Sequence, residues 1–169
     1  MRMMPRSWKE IMGAACLAAT CCLVGCCPPR PVPTASSEVV QAEVRSALDR
    51  FSELSGRGDL ASVMTQFDDQ ADILLVGSDK GEVYKGRAAM EGWLGQLYQG
   101  SGFSWQMDRV DISSHGETAW VFVEGKMNVR NKATGALRFS APYRFSGVLV
   151  KRGDGWAWRL FHGSAPGKE

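Results

Sequence analysis

LLVGSDKGEVYKGR, residues 74–87, is the stretch that decides how this chain folds. Its first residues complete the apolar run Ile73–Val76, which is typical of a buried strand. A glycine-punctuated turn over 77–81 and a short extended piece over 82–85 follow, and Gly86 breaks the chain just ahead of a helix. Helical patterns precede this stretch and alternating strands come after its helix, so the fold changes from helices to sheet here.

Two helices are predicted before the stretch. Apolar residues recur at spacings of three and four from Glu38 to about Ser55, which indicates an amphipathic helix that ends at the glycines of 56–58. Asp59 is placed to cap a short second helix. The apolar residues of that helix are Leu60, Val63, Met64 and Phe67.

A third helix and four strands are predicted after the stretch. The helix has one apolar stripe, formed by Met90, Trp93, Leu94 and Leu97. Glycine and polar residues separate the strands, as antiparallel hairpins require, and the strands cover 103–113, 118–130, 137–151 and 156–164. Pro142 interrupts the third of them, which predicts a bulge, a bend or an edge at that point.

The order of the elements and the charge balance narrow the class of protein. A chain of 169 residues suits one domain with a leader or tail, and helices followed by antiparallel strands indicate an α+β domain with helices on one face of a curved sheet. Three of the 20 basic and one of the 18 acidic residues lie in the first ten, which leaves 17 of each. Nucleic acid is therefore not an expected partner, because its binding needs clustered Lys and Arg.

Neither the cysteines nor the aspartates predict a metal site. All five cysteines lie within the first 27 residues and lack the spacing of zinc or redox motifs. Asp68, Asp69 and Asp72 lack the periodicity and terminal glutamate of a calcium loop, so capping and turn formation is the preferred interpretation. No metal and no other cofactor is expected.

Residues 1–25 have the features of a secretory signal peptide. Basic residues precede an apolar run over 11–25, which is shorter than the roughly 20 residues of a membrane-spanning helix. The run ends in Leu23-Val24-Gly25-Cys26, which resembles the lipobox of bacterial lipoproteins. That resemblance implies cleavage before Cys26 and acylation of this cysteine, which would anchor the protein to a membrane. An ordinary signal peptide with incidental cysteines is the alternative.

A proline-rich tether over residues 26–37 is predicted to join this anchor to a domain over 38–166, with a short tail at 167–169. Cys27, not an aspartate, follows the predicted lipidated cysteine. In the sorting pattern of Gram-negative bacteria this favours the outer membrane, facing the periplasm. In an organism with one membrane, the expected place is the outer face of the cell membrane.

Three motifs together resemble the SnoaL-like branch of the nuclear-transport-factor-2-like superfamily. They are GSDKGEVYKGR at 77–87, TAWV at 118–121 and WRLFH at 158–162, and the match extends over roughly residues 40–165. The resemblance implies a cone-shaped barrel of a mainly antiparallel sheet, about three helices on its concave face, a pocket between them, and a homodimer formed through the sheet. The superfamily includes polyketide cyclases, ketosteroid isomerases, dehydratases and binding modules, so the fold alone does not select a function.

The last strand supplies the predicted pocket wall. By strict alternation Trp156, Trp158, Leu160, His162 and Ser164 share one face, and this face is predicted to line the cavity. The predicted ligand pocket consists of Tyr84, Trp93, Trp120, Trp158, Leu160 and His162. So many aromatic rings with few convergent charges suit a small, flat, apolar ligand, and binding without catalysis is the preferred function.

Catalysis by proton abstraction from a ketone-like substrate is the alternative function. His162 matches a histidine position of the family motif and could exchange a proton near neutral pH, although a buried core histidine is the slightly preferred interpretation. Ser164 stands where many relatives carry a second histidine. This departure weakens any mechanism that needs paired histidines.

Asp72 and Glu124 are the predicted carboxylates for such an isomerase, cyclase or dehydratase. Tyr84, Tyr143 and His162 are the possible hydrogen-bond donors. Asp72 could instead cap a strand, and Glu124 could pair with Arg144 or face solvent. A structural dimerisation module with a filled pocket is a further alternative.

Overall fold

The computed structural model describes residues 37–166. The predicted signal peptide, the lipidation site at Cys26, most of the tether and the tail at 167–169 lie outside the described residues. Within the described range, no helix is both long enough and apolar enough to cross a membrane.

Three helices form where the apolar periodicity predicts them. α1 spans Ser37–Arg57, α2 spans Leu60–Met64 and α3 spans Arg87–Leu97. The apolar stripe of α1 is buried at Val44 and Leu48, which are both 0% exposed. Asp59 caps α2 as predicted, because its Oδ1 accepts a hydrogen bond of 3.2 Å from the backbone N–H of Ser62.

The six strands form one curved sheet that is not closed into a barrel. They are β1 Leu74–Val76, β2 Val83–Lys85, β3 Ser101–His115, β4 Thr118–Asn131, β5 Leu137–Arg152 and β6 Gly155–Ser164. Their spatial order is β2-β1-β6-β5-β4-β3, and all neighbours are antiparallel except β1 and β6. α1 packs against β3 and β6, so we call the side of the sheet that faces the helices the concave face and the other side the convex face.

The stretch at 74–87 forms the strand, the turn and the break before a helix that the sequence predicts. Val76 and Val83 pair across the turn between β1 and β2, which brings the chain back toward α3. Gly86 precedes α3 with a φ of 82°, a left-handed conformation that side-chain-bearing residues rarely adopt. The glycine therefore allows the sharp change of direction from strand to helix.

Pro142 lies at an edge, which is one of the three predicted possibilities. It pairs with Lys126 of β4 in regular register. The pairing of β5 with β6 begins only at Arg144, so this part of β5 has a strand on one side alone. A proline is tolerated there because its missing N–H interrupts no ladder between β5 and β6.

A β-bulge in β6 overturns the strict alternation predicted for the last strand. Val148 pairs with Leu160 but its neighbour Leu149 pairs with Trp158, so Arg159 is an extra residue without a partner in β5. The alternation of side chains after the bulge is therefore reversed relative to the alternation before it. Trp158 and Phe161 both point to the concave face and are buried.

The bulge places Arg159 beside a buried carboxylate. Its Nη1 donates to Asp68 Oδ2 at 2.6 Å and its Nη2 donates to Asp72 Oδ1 at 2.6 Å. Arg152 Nε donates to Asp68 Oδ1 at 2.8 Å, and Arg152 also pairs with Asp69. The three aspartates interpreted as turn and capping residues thus bind two arginines, and the Asp68 side chain is 0% exposed.

Candidate functional site

The candidate site is a cavity of about 200 Å³ between the concave face, α3 and the β1–β2 turn. Most of its lining is apolar or aromatic, and one end is polar. The lining residues of the sheet and α1 are Phe51, Leu75, Phe103, Trp105, Met127, Tyr143 and Phe161. The turn contributes Gly77, Ser78, Asp79 and Glu82, and α3 with its C-cap contributes Trp93, Leu94, Leu97 and Tyr98.

Packed aromatic rings hold the apolar wall in place. Trp105 stacks on Phe51 with ring centroids 5.3 Å apart and an interplanar angle of 12°. The ring centroid of Phe161 lies 5.6 Å from that of Phe51 and 5.5 Å from that of Phe145. The backbone of Trp105 is also fastened to α1, because its N–H donates to Ser52 Oγ at 2.8 Å. A wall built this way is largely preformed, as in most small-molecule sites.

Tyr143 supplies a hydroxyl at the polar end of the cavity. The hydroxyl lies against the backbone of Gly163. A Cβ added at Gly163 would overlap with this hydroxyl and would lie 2.9 Å from Cζ of Tyr143. Burial raises the pKa of Tyr143, and the charges of Glu82 and Asp79 raise it further, although a side-chain hydrogen bond with Ser78 lowers it. The phenol is therefore neutral near pH 7 and can donate a hydrogen bond to a ligand.

The β1–β2 turn holds the second polar group of the cavity, Glu82. Its backbone carbonyl accepts from Gly77 N–H at 2.8 Å, and its carboxylate accepts from Asp79 N–H at 3.0 Å. The side chain lies across Gly77, where a Cβ would come within 2.8 Å of Glu82 Cδ. The absence of a side chain at Gly77 lets the half-buried carboxylate fold back over the turn toward the cavity.

One buried donor of the wall has no partner. Trp105 Nε1 is inaccessible and makes no hydrogen bond to any residue in the described part of the chain. A buried indole N–H normally finds an acceptor. Trp105 lines the cavity with its ring, but its Nε1 is not exposed there and adds no polar group to the wall.

Leu160, His162 and Trp120 were predicted to line the cavity, but the structure places none of them there. His162 and Trp120 are exposed, and Leu160 pairs with Val148 on the convex face. For Leu160 and His162 the reason is the bulge at Arg159, which reverses the faces of β6. Trp120 is 48% exposed because alternation in β4 directs its neighbours Ala119 and Val121 to the concave face instead.

The other three residues predicted to form the pocket lie in different places. Trp93 lines the cavity. Tyr84 stacks on Trp93 with ring centroids 4.9 Å apart, so it supports the wall from behind. Trp158 is 1% exposed and belongs to the core, where its ring covers Gly147.

The predicted catalytic carboxylates are not at the cavity either. Asp72 is 63% exposed and pairs with Arg159. Glu124 lies on the convex face and accepts from Arg144 Nε at 2.8 Å, which is the pairing foreseen as its alternative. Asp72, Glu124 and His162 are all absent from the lining of the cavity, so the structure does not assemble the predicted trio there. Within 37–166, no group of three or more His, Cys, Asp and Glu residues is arranged to hold a metal ion.

Glu82 and Asp79 are the cavity carboxylates that sequence reasoning did not assign. Both belong to the turn between β1 and β2, which the hydrogen bond from Asp79 N–H to the Glu82 carboxylate closes. The missed signal is their position directly after the buried strand β1. A turn at the end of that strand lies at the rim of the concave face, so its side chains can reach the cavity.

Comparison with known proteins agrees with this architecture. The family model of the SnoaL-like domain matches residues 44–168. No curated protein matches the chain. Among solved structures, a provisionally assigned dehydratase of the NTF2-like family from Streptomyces avermitilis is 19% identical with a TM-score of 0.67, covering 78% of this chain and 99% of that one.

Two further structures are similar to the same extent. An NTF2-like superfamily protein from Salmonella enterica is 17% identical with a TM-score of 0.66 and covers 79% of this chain and 95% of its own. A ketosteroid isomerase-like protein from Erwinia carotovora is 20% identical with a TM-score of 0.61 and covers 79% and 100%. These identities show the fold alone, whereas the family model covers most of the chain. The chain belongs to the SnoaL-like domain family and has the NTF2-like fold.

Proposed function

We propose that the described domain binds a small, mainly apolar molecule in the cavity and does not alter it chemically. The observation that carries this proposal is an open cavity with an aromatic wall and polar groups at one end only. Apolar walls with a few placed polar groups are the usual form of a small-molecule site. An open cavity also favours binding over a purely structural role with a filled pocket.

The size of the cavity limits the ligand. A cavity of roughly 150 Å³ holds one benzene molecule, and pockets for drug-sized ligands measure roughly 300 to 1,000 Å³. The volume of about 200 Å³ therefore suits one ring with a small substituent. We propose that the substituent points to Tyr143 and Glu82, because the other walls offer little for it to bond with.

Tryptophan fluorescence can test this binding with benzyl alcohol as the probe. We expect quenching and a rise in melting temperature, both retained in Trp120→Phe, because Trp120 lies on the convex face. Trp93→Phe should lose part of the quenching, and Met127→Trp should abolish binding by filling the cavity from β4. No response from the wild-type domain at millimolar probe would overturn the proposal.

Acid–base catalysis is a second candidate, because Glu82 and Tyr143 line the same cavity. In an enzyme of this kind Glu82 would take the proton and Tyr143 would donate to the developing oxyanion. We favour binding because the Glu82 carboxylate already accepts a hydrogen bond from its own turn. Exchange of the α-protons of cyclohexanone in D₂O distinguishes the two: acceleration by the wild type, absent in Glu82→Gln, would support the enzyme.

We further propose that acylated Cys26 anchors the domain to a membrane, with the outer membrane facing the periplasm as the favoured place. Support comes from the lipobox-like Leu23-Val24-Gly25-Cys26 alone. Labelling with palmitate should be strong in the wild type and lost in Cys26→Ala, while Cys27→Ala serves as the matched control. Equal labelling of the wild type and Cys26→Ala would rule out the anchor.

A further inference from the structure

We infer that the cavity prefers a cationic ligand, namely a one-ring aromatic compound with a protonated amine, over neutral and anionic ligands of equal size. This inference rests on the proposed binding function and adds the charge of the ligand to it. It is carried by the combination of carboxylates at the polar end with aromatic rings around the rest of the cavity.

The charges at the cavity have one sign. Asp79 and Glu82 are both lining residues, and none of the lining residues within the described part of the chain is Lys, Arg or His. Lys80 lies between them in the sequence and is exposed like Asp79, but unlike Asp79 it is not a lining residue. An ammonium group that entered the polar end would therefore meet two carboxylates and no competing cation of the wall.

The surroundings strengthen this attraction. Glu82 is half-buried, so water and salt screen its charge less than that of a fully exposed carboxylate. Tyr143 lies close enough to both carboxylates for their charges to oppose its ionisation. A ligand ammonium at the same place would be stabilised by those charges, whereas a ligand carboxylate would be repelled.

The aromatic wall acts in the same direction. Seven of the lining side chains carry rings, which are those of Phe51, Trp93, Tyr98, Phe103, Trp105, Tyr143 and Phe161. The faces of such rings attract cations, and this contribution grows when the cation loses water. The same rings accept the aromatic part of the ligand, so one molecule can satisfy both features.

Three probes of nearly equal size test the inference on the wild-type domain: benzylamine, benzyl alcohol and benzoate. Titration calorimetry at pH 7 should show benzylamine binding about tenfold more tightly than benzyl alcohol, with benzoate weakest. The advantage of benzylamine should shrink at high salt, whereas the affinity of benzyl alcohol should not.

Variants assign the preference to the carboxylate. Glu82→Gln should lower the affinity for benzylamine several-fold more than the affinity for benzyl alcohol, and Glu124→Gln, on the convex face, is the control that should change neither. If benzyl alcohol binds as tightly as benzylamine, the inference is wrong although the binding function stands. If none of the three binds, both are overturned. The ligand series needs no variant, so it decides the question even if Glu82→Gln does not fold.

Discussion

Tyr143 and Gly163 fit together at the polar end of the cavity, and that contact leaves no room for a methyl group. We expect Gly163→Ala to push the phenol aside, lower the free energy of unfolding by about 1 to 3 kcal/mol and weaken ligand binding. Gly92→Ala is the matched control, because nothing lies within 4 Å of a Cβ there and helix propensity favours alanine. Urea unfolding measures both, and equal losses of stability would contradict the proposed contact.

Substitutions of Tyr143 and His162 are expected to differ in their effect on ligand affinity. Tyr143→Phe removes a hydrogen-bond donor from the cavity, so we expect the affinity for benzyl alcohol to fall about three- to tenfold. His162→Ala should leave that affinity unchanged, since His162 is exposed on the convex face. Calorimetric titration of both variants is the measurement, and a loss confined to His162→Ala would restore the pocket predicted from strict alternation.

Asp68 is a buried carboxylate that pairs with Arg152 and Arg159. Burial opposes its charge, but hydrogen bonds from Arg159 and Arg152 outweigh burial and hold the pKa of Asp68 below its ordinary value. We expect Asp68→Asn to lower the free energy of unfolding by about 3 kcal/mol. This value is the lower end of the range for a broken buried ion pair, because the side chains of both arginines are partly exposed to water. Asp69→Asn, at a carboxylate that is 74% exposed, should cost far less.

The pH dependence of the Asp68 contribution follows from the direction of the shift. A lowered pKa in the folded state means that the stabilisation is present above the unfolded value of about 3.9 and is lost as pH falls through the folded pKa. The difference in unfolding free energy between the wild type and Asp68→Asn should therefore be constant from pH 7 to 5 and shrink below about pH 4. A difference that does not change down to pH 2 would contradict the ion pairs.

At the scale of the elements, one buried hydrogen bond joins the first helix to the end of the third. Tyr98, the C-cap of α3, donates from its hydroxyl to Ser55 Oγ of α1 at 3.0 Å. Burial raises the pKa of Tyr98 to about 12, against the opposing effect of Ser55. Because Ser55 is 0% exposed, water cannot replace a lost partner.

We expect Tyr98→Phe to lower the free energy of unfolding by about 1 to 2 kcal/mol at pH 7. The folded pKa is raised, so the contribution of Tyr98 is complete below the unfolded value of about 10 and is lost as pH rises through about 12. Between pH 9 and 11 the wild type should lose stability faster than Tyr98→Phe. Parallel alkaline denaturation curves for the two proteins would show that the phenol ionises equally well when folded.

At the scale of the whole described domain, the convex face carries an apolar row. Trp120 pairs with Val148, which pairs with Leu160, which in turn pairs with Leu74. Homodimerisation through the sheet, which the family resemblance implies, stays a proposal that this row supports. Trp120 at its end is exposed, and contiguous exposed apolar patches mark protein–protein interaction sites.

Sedimentation velocity tests the dimer on the purified domain. We expect the wild type to sediment as a dimer and Trp120→Glu as a monomer, because a buried unpaired carboxylate opposes association. Phe139→Glu is the control: Phe139 is equally exposed, but it pairs with Val129, whose side chain points to the concave face. A wild type that is monomeric at all concentrations would refute the sheet-mediated dimer.

Local patterns in the sequence were sufficient for the elements and the family. The apolar periodicity of α1, the cap at Asp59 and the glycine turn after Val76 depend on neighbours in the chain, and the structure confirms each of them. The same holds for the hairpins, because turn chemistry is a property of a few adjacent residues. These local signals together predicted the helix-to-sheet order and with it the fold.

Only the tertiary structure decided which residues form the site. The bulge at Arg159 reverses the faces of β6, and it is accompanied by ion pairs to Asp68, 91 residues earlier in the chain. No local pattern reports a contact over that distance, so strict alternation placed His162 on the wrong face. The local sequence around Glu82 likewise indicates only a turn, and the tertiary structure places that turn next to Tyr143. Local sequence determined the elements, and long-range contacts determined which side chains meet in the cavity.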